Sequence, residues 1–342
     1  MQLAMTLLQI LASTRAAEVR ARAFVSGAAL AQQLGVSRTA VWKAVEHLRE
    51  LGTEVEAVTH QGYRLAHPAS PLSAAGVGAL LPAATRQRLR ASECLGSVSS
   101  TNSLLLERGP PPPGQFDFVT AEHQHAGRGR RGRTWLAPPG GSICLSWSWC
   151  FEGTAAQLGP LSLVIGVACN RALHSVGVPG VLLKWPNDLV TDQGKLGGIL
   201  IEMRAEAGGP VHLVMGLGLN VALGPAVKEN VSASGNRATD LCAVVGAQGL
   251  PTRDALVAAV LHHGVAALLE FTQQGFQPFR AEFKAADALI DQPVDIHHGS
   301  VTSGIARGVD LDGALLVEHH SGSQLAVDRI IGGEVSVRKS KA

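Results

Sequence analysis

Apolar positions in residues 1–66 recur first with the spacing of a helix and then with the alternation of a strand. Ser26 and Ser37 stand where helix N-caps are expected, and a Gly35 turn separates the two helices that they begin. The predicted elements of this part are two helices followed by two strands, at residues 27–34, 38–52, 55–59 and 63–65. Together they predict a small α domain that ends in a hairpin.

The second of these helices has two different faces. Val41, Val45 and Leu48 share an apolar face, whereas Trp42 and the polar or basic residues of this helix lie largely elsewhere. Two short helices joined by a tight turn, with a basic outer face on the second, are typical of a helix-turn-helix, and the hairpin could be its wing. A generic helical hairpin is the alternative. The residues we expect to contact DNA are Arg38, Thr39, Trp42 and Lys43.

Beyond residue 66 the pattern changes twice. Residues 67–80 are small and rich in Pro and Gly, which favours a linker. From 81 to about 286, long apolar or amphipathic helices are expected at 158–176 and 252–274. Strands are expected between them and before them, at 118–121, 143–149, 182–185, 199–203 and 213–221. From 287 to 342 the short β-like runs predict a small all-β barrel, with strands at 293–296, 304–309, 314–318, 325–327 and 334–337.

Composition narrows the class of protein. A chain of 342 residues with 46% hydrophobic and 16% charged residues should form two or three globular domains. A net charge of +2 means that any nucleic-acid surface must be local. The five cysteines are scattered and none forms a CxxC pair, so a reducing cytoplasm fits. No apolar run is long enough to span a bilayer, and no membrane association is expected.

The richest stretch of chemistry is residues 124–135, called here the Arg/Gly loop. Its four arginines, which alternate with three glycines, are Arg128, Arg130, Arg131 and Arg133. Glycine lets the backbone approach a ligand closely, and the guanidinium fork suits carboxylate and phosphate oxygens. A disordered nucleic-acid-binding segment is the alternative. Strand-like sequence on both sides favours a loop that binds an anion.

Four further segments are informative only as a set. Each has a plain structural interpretation by itself: a helix N-cap at 99–102, a turn at 184–189, a hairpin return at 195–202, and glycines inside an apolar strand at 216–220. With the Arg/Gly loop, however, their order and residues resemble the BirA-type biotin protein ligases, bifunctional enzymes that are also biotin operon repressors. The resemblance covers essentially the whole chain.

The resemblance implies a multidomain α+β architecture. Residues 1–66 would be the winged helix-turn-helix that binds operator DNA, and 67–80 the linker. Residues 81–286 would be a mixed α/β ligase domain of the class II synthetase-like type, and 287–342 an SH3-like barrel. Because the winged helix and the ligase motifs occur in one chain, the resemblance implies an enzyme and a DNA-binding protein in the same molecule.

The family also implies a two-step reaction. The biotin carboxylate attacks the α-phosphorus of ATP, which carries Mg²⁺, to give biotinyl-5′-AMP and pyrophosphate. A specific lysine of a biotin carboxyl carrier protein then attacks the mixed anhydride. The adenylate would also be the corepressor, and a homodimer is expected when it is bound. No nucleophilic triad is needed, because positioning and fixed cations can carry such chemistry.

By the same resemblance, Arg130 and Lys195 are the catalytic residues. The residues implied for biotin are Ser100, Thr101, Asn102, Gln124, Gly127, Arg128, Gly129, Arg130, Lys195, Gly216 and Gly218. Those implied for the nucleotide are Arg128, Arg130, Trp135, Lys184, Asn187, Asp188 and Asn220. Lys184 could equally be structural, and Asp188 could contact Mg²⁺ or ribose. No protein metal site is expected, since His123 and His125 lack a third ligand.

Two other functions compete with the ligase. A biotin-sensing regulator without catalysis would require loss of the charge at 130 or 195, and both charges are present. A lipoate-type ligase shares the architecture, but Gln124 favours the biotin ring, whose ureido group needs polar partners. Gly197 stands where the family commonly has alanine, a change expected to keep access to the backbone.

Overall fold

The computed structural model describes residues 1–17, 24–205, 209–233, 237–297, 303–321, 324–331 and 336–339. Its helices are α1 (Gln2–Ala17), α2 (Gly27–Leu34), α3 (Arg38–Glu50), α4 (Ala74–Leu80), α5 (Ala83–Arg86), α6 (Thr101–Arg108), α7 (Leu161–Ser175), α8 (Pro225–Ala233), α9 (Leu241–Gly249), α10 (Arg253–Gln274) and α11 (Arg280–Ala286). Its strands are β1 (Val55–Val58), β2 (Gly62–Leu65), β3 (Leu89–Val98), β4 (Phe116–Gln124), β5 (Ser142–Phe151), β6 (Leu182–Lys184), β7 (Asp188–Thr191), β8 (Gly194–Ala205), β9 (Val211–Asn220), β10 (Pro293–His297), β11 (Ser303–Val309), β12 (Leu315–Ser321), β13 (Gln324–Ile330) and β14 (Ser336–Lys339).

The N-terminal unit is a winged helix-turn-helix, as predicted. Ser26 Oγ accepts a hydrogen bond from the first turn of α2, and Ser37 Oγ does the same for α3. Between them Gly35 has φ 65°, the left-handed conformation that glycine adopts most easily at a helix C-terminus. α1, α2 and α3 share one core, and the antiparallel pair β1 and β2 forms the wing.

A seven-stranded sheet organises the central part, in the order β3-β4-β5-β9-β8-β7-β6. Its strands run antiparallel except for the β3–β4 pair. α7 and α10 pack together on one face, whereas α6 covers β4, β5 and β9 through Leu105 and Leu106. This is the predicted mixed α/β domain. α6 therefore begins directly above the middle strands of the sheet.

The linker prediction was wrong for residues 74–80, which form α4. Leu72, Val77 and Leu81 are buried in the main core, and α4 packs on α10. A Cβ at Gly76 would lie 1.9 Å from Asp254 Oδ2. The small residues therefore allow close helix packing here and do not indicate a flexible connection. The proposed boundaries at 66, 80 and 286 stay predictions.

The C-terminal strands form an antiparallel sheet in the order β13-β12-β11-β10-β14, in agreement with the predicted SH3-like domain. Its apolar residues, such as Leu315 and Val317, belong to the same core as the central sheet. Trp185 Nε1 donates to the carbonyl of Gly313 at 2.9 Å and joins the two units. The strand predicted at 334–337 lies partly outside the described residues.

One described helix, α10, is long and apolar enough by length and composition to cross a membrane. More than half of that apolar stretch is buried inside the protein, where α10 packs against α7 and α4. Its apolar character is thus explained by its place in the core.

Candidate functional site

A cavity of about 200 Å³ opens where the start of α6, the Arg/Gly loop, the β6–β7 turn and strands β8 and β9 meet. Most of the residues predicted for the site line this central cavity: Ser100, Thr101, Asn102, Gln124, Arg128, Gly129, Arg130, Trp135, Lys184, Asn187, Asp188, Lys195, Gly216 and Gly218. Segments that are more than a hundred residues apart in sequence are therefore brought to one place.

One end of the cavity carries neutral hydrogen-bonding groups. Gln124 Oε1 accepts from the main-chain N of Thr101 at 2.8 Å and from its hydroxyl at 3.0 Å. Ser146 Oγ lies 2.7 Å from Thr101 Oγ1 and 2.5 Å from Asn102 Oδ1. These side chains fix one another, so this end presents oriented amide and hydroxyl groups.

The other end carries cations. Arg130 Nη1 donates to Asn187 Oδ1 at 3.3 Å, and Asn187 Nδ2 donates to the carbonyl of Ile199 at 2.6 Å. Lys195 Nζ lies 2.6 Å from Asp188 Oδ1. Burial lowers the pKa of Arg130, the neighbouring Arg131 lowers it further, and Asp188 opposes both. Arginine stays charged at neutral pH despite such a shift, so Arg130 and Lys195 both place positive charge at this end.

Gly216 and Gly218 of β9 form the floor of the cavity, where the absence of a side chain lets other groups approach closely. A Cβ at Gly216 would lie 2.4 Å from Asn102 Oδ1, and one at Gly218 would lie 2.3 Å from Trp135 Cε2. The Lys195 ammonium sits 5.9 Å from the centre of the Trp135 ring. Trp135 therefore packs against Gly218 on the floor, beside the cation end, where only glycine leaves room for it.

Two predicted residues do not line the cavity. Asn220 is buried, and its Nδ2 donates to the carbonyls of Thr239 at 2.9 Å and Lys195 at 3.4 Å. It holds the main chain of Lys195 in place. Gly127 lies in the turn of the loop, where a Cβ would come within 2.7 Å of the Trp135 carbonyl. Lys184 does line the cavity.

The sequence did not predict three polar residues that lie just behind the lining, Ser103, Ser146 and Glu202. Arg128 Nη2 donates to Ser103 Oγ at 2.8 Å and to Glu202 Oε2 at 3.0 Å, and Ser146 bridges Thr101 and Asn102. Ser146 and Glu202 lie on strands, where the sequence pattern gives only an alternation of faces. Further lining residues outside the prediction are Arg131, Arg133, Thr134, Leu145, Trp185, Pro186, Gly198, Ile199, Leu200, Leu217 and Val231.

The described residues contain no group of three or more His, Cys, Asp and Glu side chains that could hold a metal ion. Asp188 supplies the one carboxylate in the described lining, and it is already paired with Lys195. The donor set therefore does not fit a metal site built by the protein alone.

A second surface lies on the N-terminal unit. Arg38, Thr39 and Trp42 line an open groove together with the wing residues His60 and Gln61. Trp42 is 51% exposed although it is a large aromatic residue. Lys43 is exposed on the same helix. The helix and the wing thus form one continuous surface with the polarity expected for nucleic acid.

Comparisons with known proteins match the two parts of the chain that carry these surfaces. The model of the "Biotin/lipoate A/B protein ligase family" matches residues 96–220, and that of the "HTH domain" matches residues 17–64. The "Bifunctional ligase/repressor BirA" of Salmonella typhimurium is 37% identical over 322 residues, 93% of this chain and 94% of that protein. The protein of the same name from Escherichia coli is 36% identical over the same shares.

Among solved structures, the fold is similar to a biotin protein ligase from Aquifex aeolicus in complex with biotin and ATP. The TM-score is 0.59 and the identity 24%, over 74% of this chain and all of that one. This likeness concerns the fold, whereas the relatives above share sequence along nearly the full length of both chains. The chain belongs to the BirA family of bifunctional ligase/repressors.

Proposed function

We propose that this protein is a biotin protein ligase that activates biotin with ATP and transfers it to a lysine of a biotin carboxyl carrier protein. The observation that carries the proposal is the polarity of the central cavity. Oriented neutral groups of Gln124 and Thr101 stand at one end, and the cations Arg130 and Lys195 stand at the other. Biotin has the matching distribution, with a neutral ureido ring at one end and a carboxylate at the other.

In the first step, a biotin carboxylate oxygen forms a bond to the α-phosphorus of ATP, and the bond from this phosphorus to the bridging oxygen of pyrophosphate breaks. Arg130 and Lys195 reduce the repulsion between the carboxylate and the phosphates and stabilise charge that grows on the phosphate oxygens. Asp188 positions the Lys195 ammonium through their 2.6 Å contact. Trp135 and the glycines beneath it hold the acyl-adenylate away from water.

In the second step, a neutral lysine amine of the carrier attacks the biotinyl carbonyl carbon. The bond to the AMP oxygen breaks, AMP leaves, and the amine loses a proton as the amide forms. We propose that Mg²⁺ enters with ATP as part of this substrate, since the described lining offers a single, already paired carboxylate. The chain needs no nucleophile of its own for either step.

The decisive experiment is biotin-dependent release of pyrophosphate from MgATP by the purified full chain, with lipoate as the matched control acid. We expect pyrophosphate release with biotin and none with lipoate. Release with lipoate and none with biotin would instead identify a lipoate-type ligase. No release with either acid, in folded protein, would favour a biotin-sensing regulator without catalysis.

We further propose that the N-terminal unit makes the protein a transcriptional repressor that responds to the adenylate and binds its operator as a homodimer. The exposed groove between α3 and the wing supports this proposal. Replacing Arg38 and Lys43 together by alanine should weaken binding to promoter DNA and reduce its salt dependence by about two ionic contacts. Unchanged binding would contradict the assignment. These point changes leave the contacts of α1 with the ligase part intact.

We also propose that the protein forms a homodimer when the adenylate is bound and that it is cytoplasmic. Sedimentation with and without biotin and ATP should show a larger species only when both substrates are present. The five cysteines are free, which supports the proposed cytoplasmic location, where thiols are kept reduced.

A further inference from the structure

The Glu202 carboxylate on β8 connects two parts of the central cavity that the sequence treats separately. Its Oε2 accepts from Asn102 Nδ2 at 2.8 Å and from Arg128 Nη2 at 3.0 Å. Asn102 belongs to the first turn of α6, and Arg128 to the Arg/Gly loop. We propose that Glu202 is a positioning residue that closes the Arg/Gly loop over the cavity and at the same time orients the buried amide of Asn102.

The amide side of this arrangement is tightly determined. Asn102 is buried, and its Nδ2 donates to the carbonyl of Leu200 and to Glu202, while its Oδ1 faces Ser146 Oγ. The same Oδ1 would lie 2.4 Å from a Cβ at Gly216, so the amide rests directly on the floor. Loss of the Glu202 acceptor would leave one buried N–H without its partner and release the amide from its orientation.

The contact that holds the Arg/Gly loop to Glu202 is weaker and can open. Within the loop, Gly129 N donates to the Arg133 carbonyl at 2.6 Å and Trp135 N to the Gly127 carbonyl at 3.0 Å, so these hydrogen bonds tie the loop into one unit. The Arg128–Glu202 pair holds this unit to β8, and both side chains are partly exposed. An ion pair of this kind is modest, which suits a closure that must yield to substrate and product.

Two substitutions separate the two roles. Glu202→Gln keeps an oxygen that can accept from Asn102 but removes the charge that holds Arg128. Glu202→Ala removes both. The matched control is Glu107→Gln, which neutralises an exposed glutamate on α6. Circular dichroism and thermal unfolding of each variant establish that it is folded.

The first test needs no substrate. Trypsin cleaves after arginine, and the loop carries four. Glu202→Gln should raise the rate of cleavage within residues 128–133 about threefold, the effect of losing one partly exposed ion pair. Glu107→Gln should cleave at the wild-type rate. Equal rates for Glu202→Gln and wild type would overturn the proposal, whatever the enzymatic activity is.

The second test rests on the proposed ligase function. Glu202→Gln should release the acyl-adenylate about threefold faster, with the KM for biotin within about twofold of wild type. Glu202→Ala should in addition raise the KM for biotin about tenfold, because the Asn102 amide loses its acceptor. In an Arg128→Gln background, Glu202→Gln should have no further effect on release. Additive effects, or equal KM changes in both Glu202 variants, would overturn the proposal.

The two failures remain distinct. A wild-type protein that forms no adenylate would refute the ligase function, and the trypsin test would still decide whether Glu202 holds the loop. An active wild type with unchanged Glu202 variants would refute the role of Glu202 alone.

Discussion

At the scale of single residues, Lys195 carries the sharpest prediction. Its ammonium is held beside Asp188 at the cation end of the cavity. Lys195→Ala should lower the rate of adenylate formation about 100- to 1000-fold, because a fixed charge that stabilises the phosphate in the transition state is lost. Biotin-dependent pyrophosphate release measures this. Lys284→Ala, which removes an exposed lysine of α11, is the control. Near-normal activity of Lys195→Ala would rule out the role given to it.

Arg130 carries a prediction about retention of the intermediate. Its guanidinium joins the Arg/Gly loop to Asn187 at the β6–β7 turn. Arg130→Gly should let the acyl-adenylate leave before transfer, because both a contact of the loop and a cation are lost. Biotin should then appear on lysines of an unrelated protein added to the reaction. Selectivity equal to that of wild type would argue against this role.

At the scale of elements, the junction between α11 and β10 contains a buried carboxyl group that should make stability depend on pH. Asp287 Oδ1 accepts from Leu289 N, whereas Oδ2 has no hydrogen-bond partner among the described residues. Burial raises the pKa of Asp287 to about 6. Because this folded pKa exceeds the ordinary value, the folded state keeps the proton longer than the unfolded state. The free energy of unfolding therefore falls as pH rises from about 4 to 6.

Asp287→Asn keeps the acceptor for Leu289 and cannot ionise. When the pH is raised from 4.5 to 7.5, the stability of the variant relative to wild type should increase by about 2 kcal/mol, since a unit of pKa shift corresponds to about 1.4 kcal/mol. Urea unfolding at both pH values measures the difference. Asp192→Asn, at an exposed position, should show no such change. If the stability difference between Asp287→Asn and wild type does not grow with pH, burial does not raise the pKa of Asp287 as stated.

The elements themselves were predictable where local signals suffice. The Ser caps and Gly35 defined α2 and α3, and long apolar runs predicted α7 and α10. α4 was missed because its Ala and Gly residues have the composition of a linker. Their role becomes visible only from α10, whose Asp254 lies where a side chain at Gly76 would be. α8 was missed as well, since nothing marks its short sequence.

At the scale of the whole molecule, a buried ion pair joins the DNA-binding and ligase parts. Glu122 on β4 and Arg253 on α10 are both almost fully buried and form two hydrogen bonds, at 2.6 and 2.8 Å. Gln9 of α1 donates to the same carboxylate at 2.9 Å, and Arg253 also donates to the carbonyl of Ser70. One ion pair thus touches α1, the segment after the wing, the sheet and α10.

Removal of one member of this pair should be costly. Glu122→Ala leaves the Arg253 charge buried without its partner, and we expect a loss of about 3–5 kcal/mol in the free energy of unfolding. Urea denaturation followed by tryptophan fluorescence measures it. Gln9→Ala should cost about 1.5–3 kcal/mol, because one hydrogen bond from a neutral amide to a charged carboxylate is lost. The double change Glu122→Leu with Arg253→Met should be milder than Glu122→Ala; a more severe effect would contradict the electrostatic explanation.

The sequence by itself determined the features that depend on near neighbours: the capped helices, the Arg/Gly loop and the glycines of β9. Together with the order of the motifs, it also led to the family and to most residues of the central cavity. Only the tertiary structure decided the partners of Asn102, which are Ser146, 44 residues away, and Glu202, 100 residues away. Glu122 and Arg253 are 131 residues apart. The physical reason is long-range packing: each of these contacts joins a helix to a strand that is distant in sequence, and no local pattern fixes where a helix lies on the sheet.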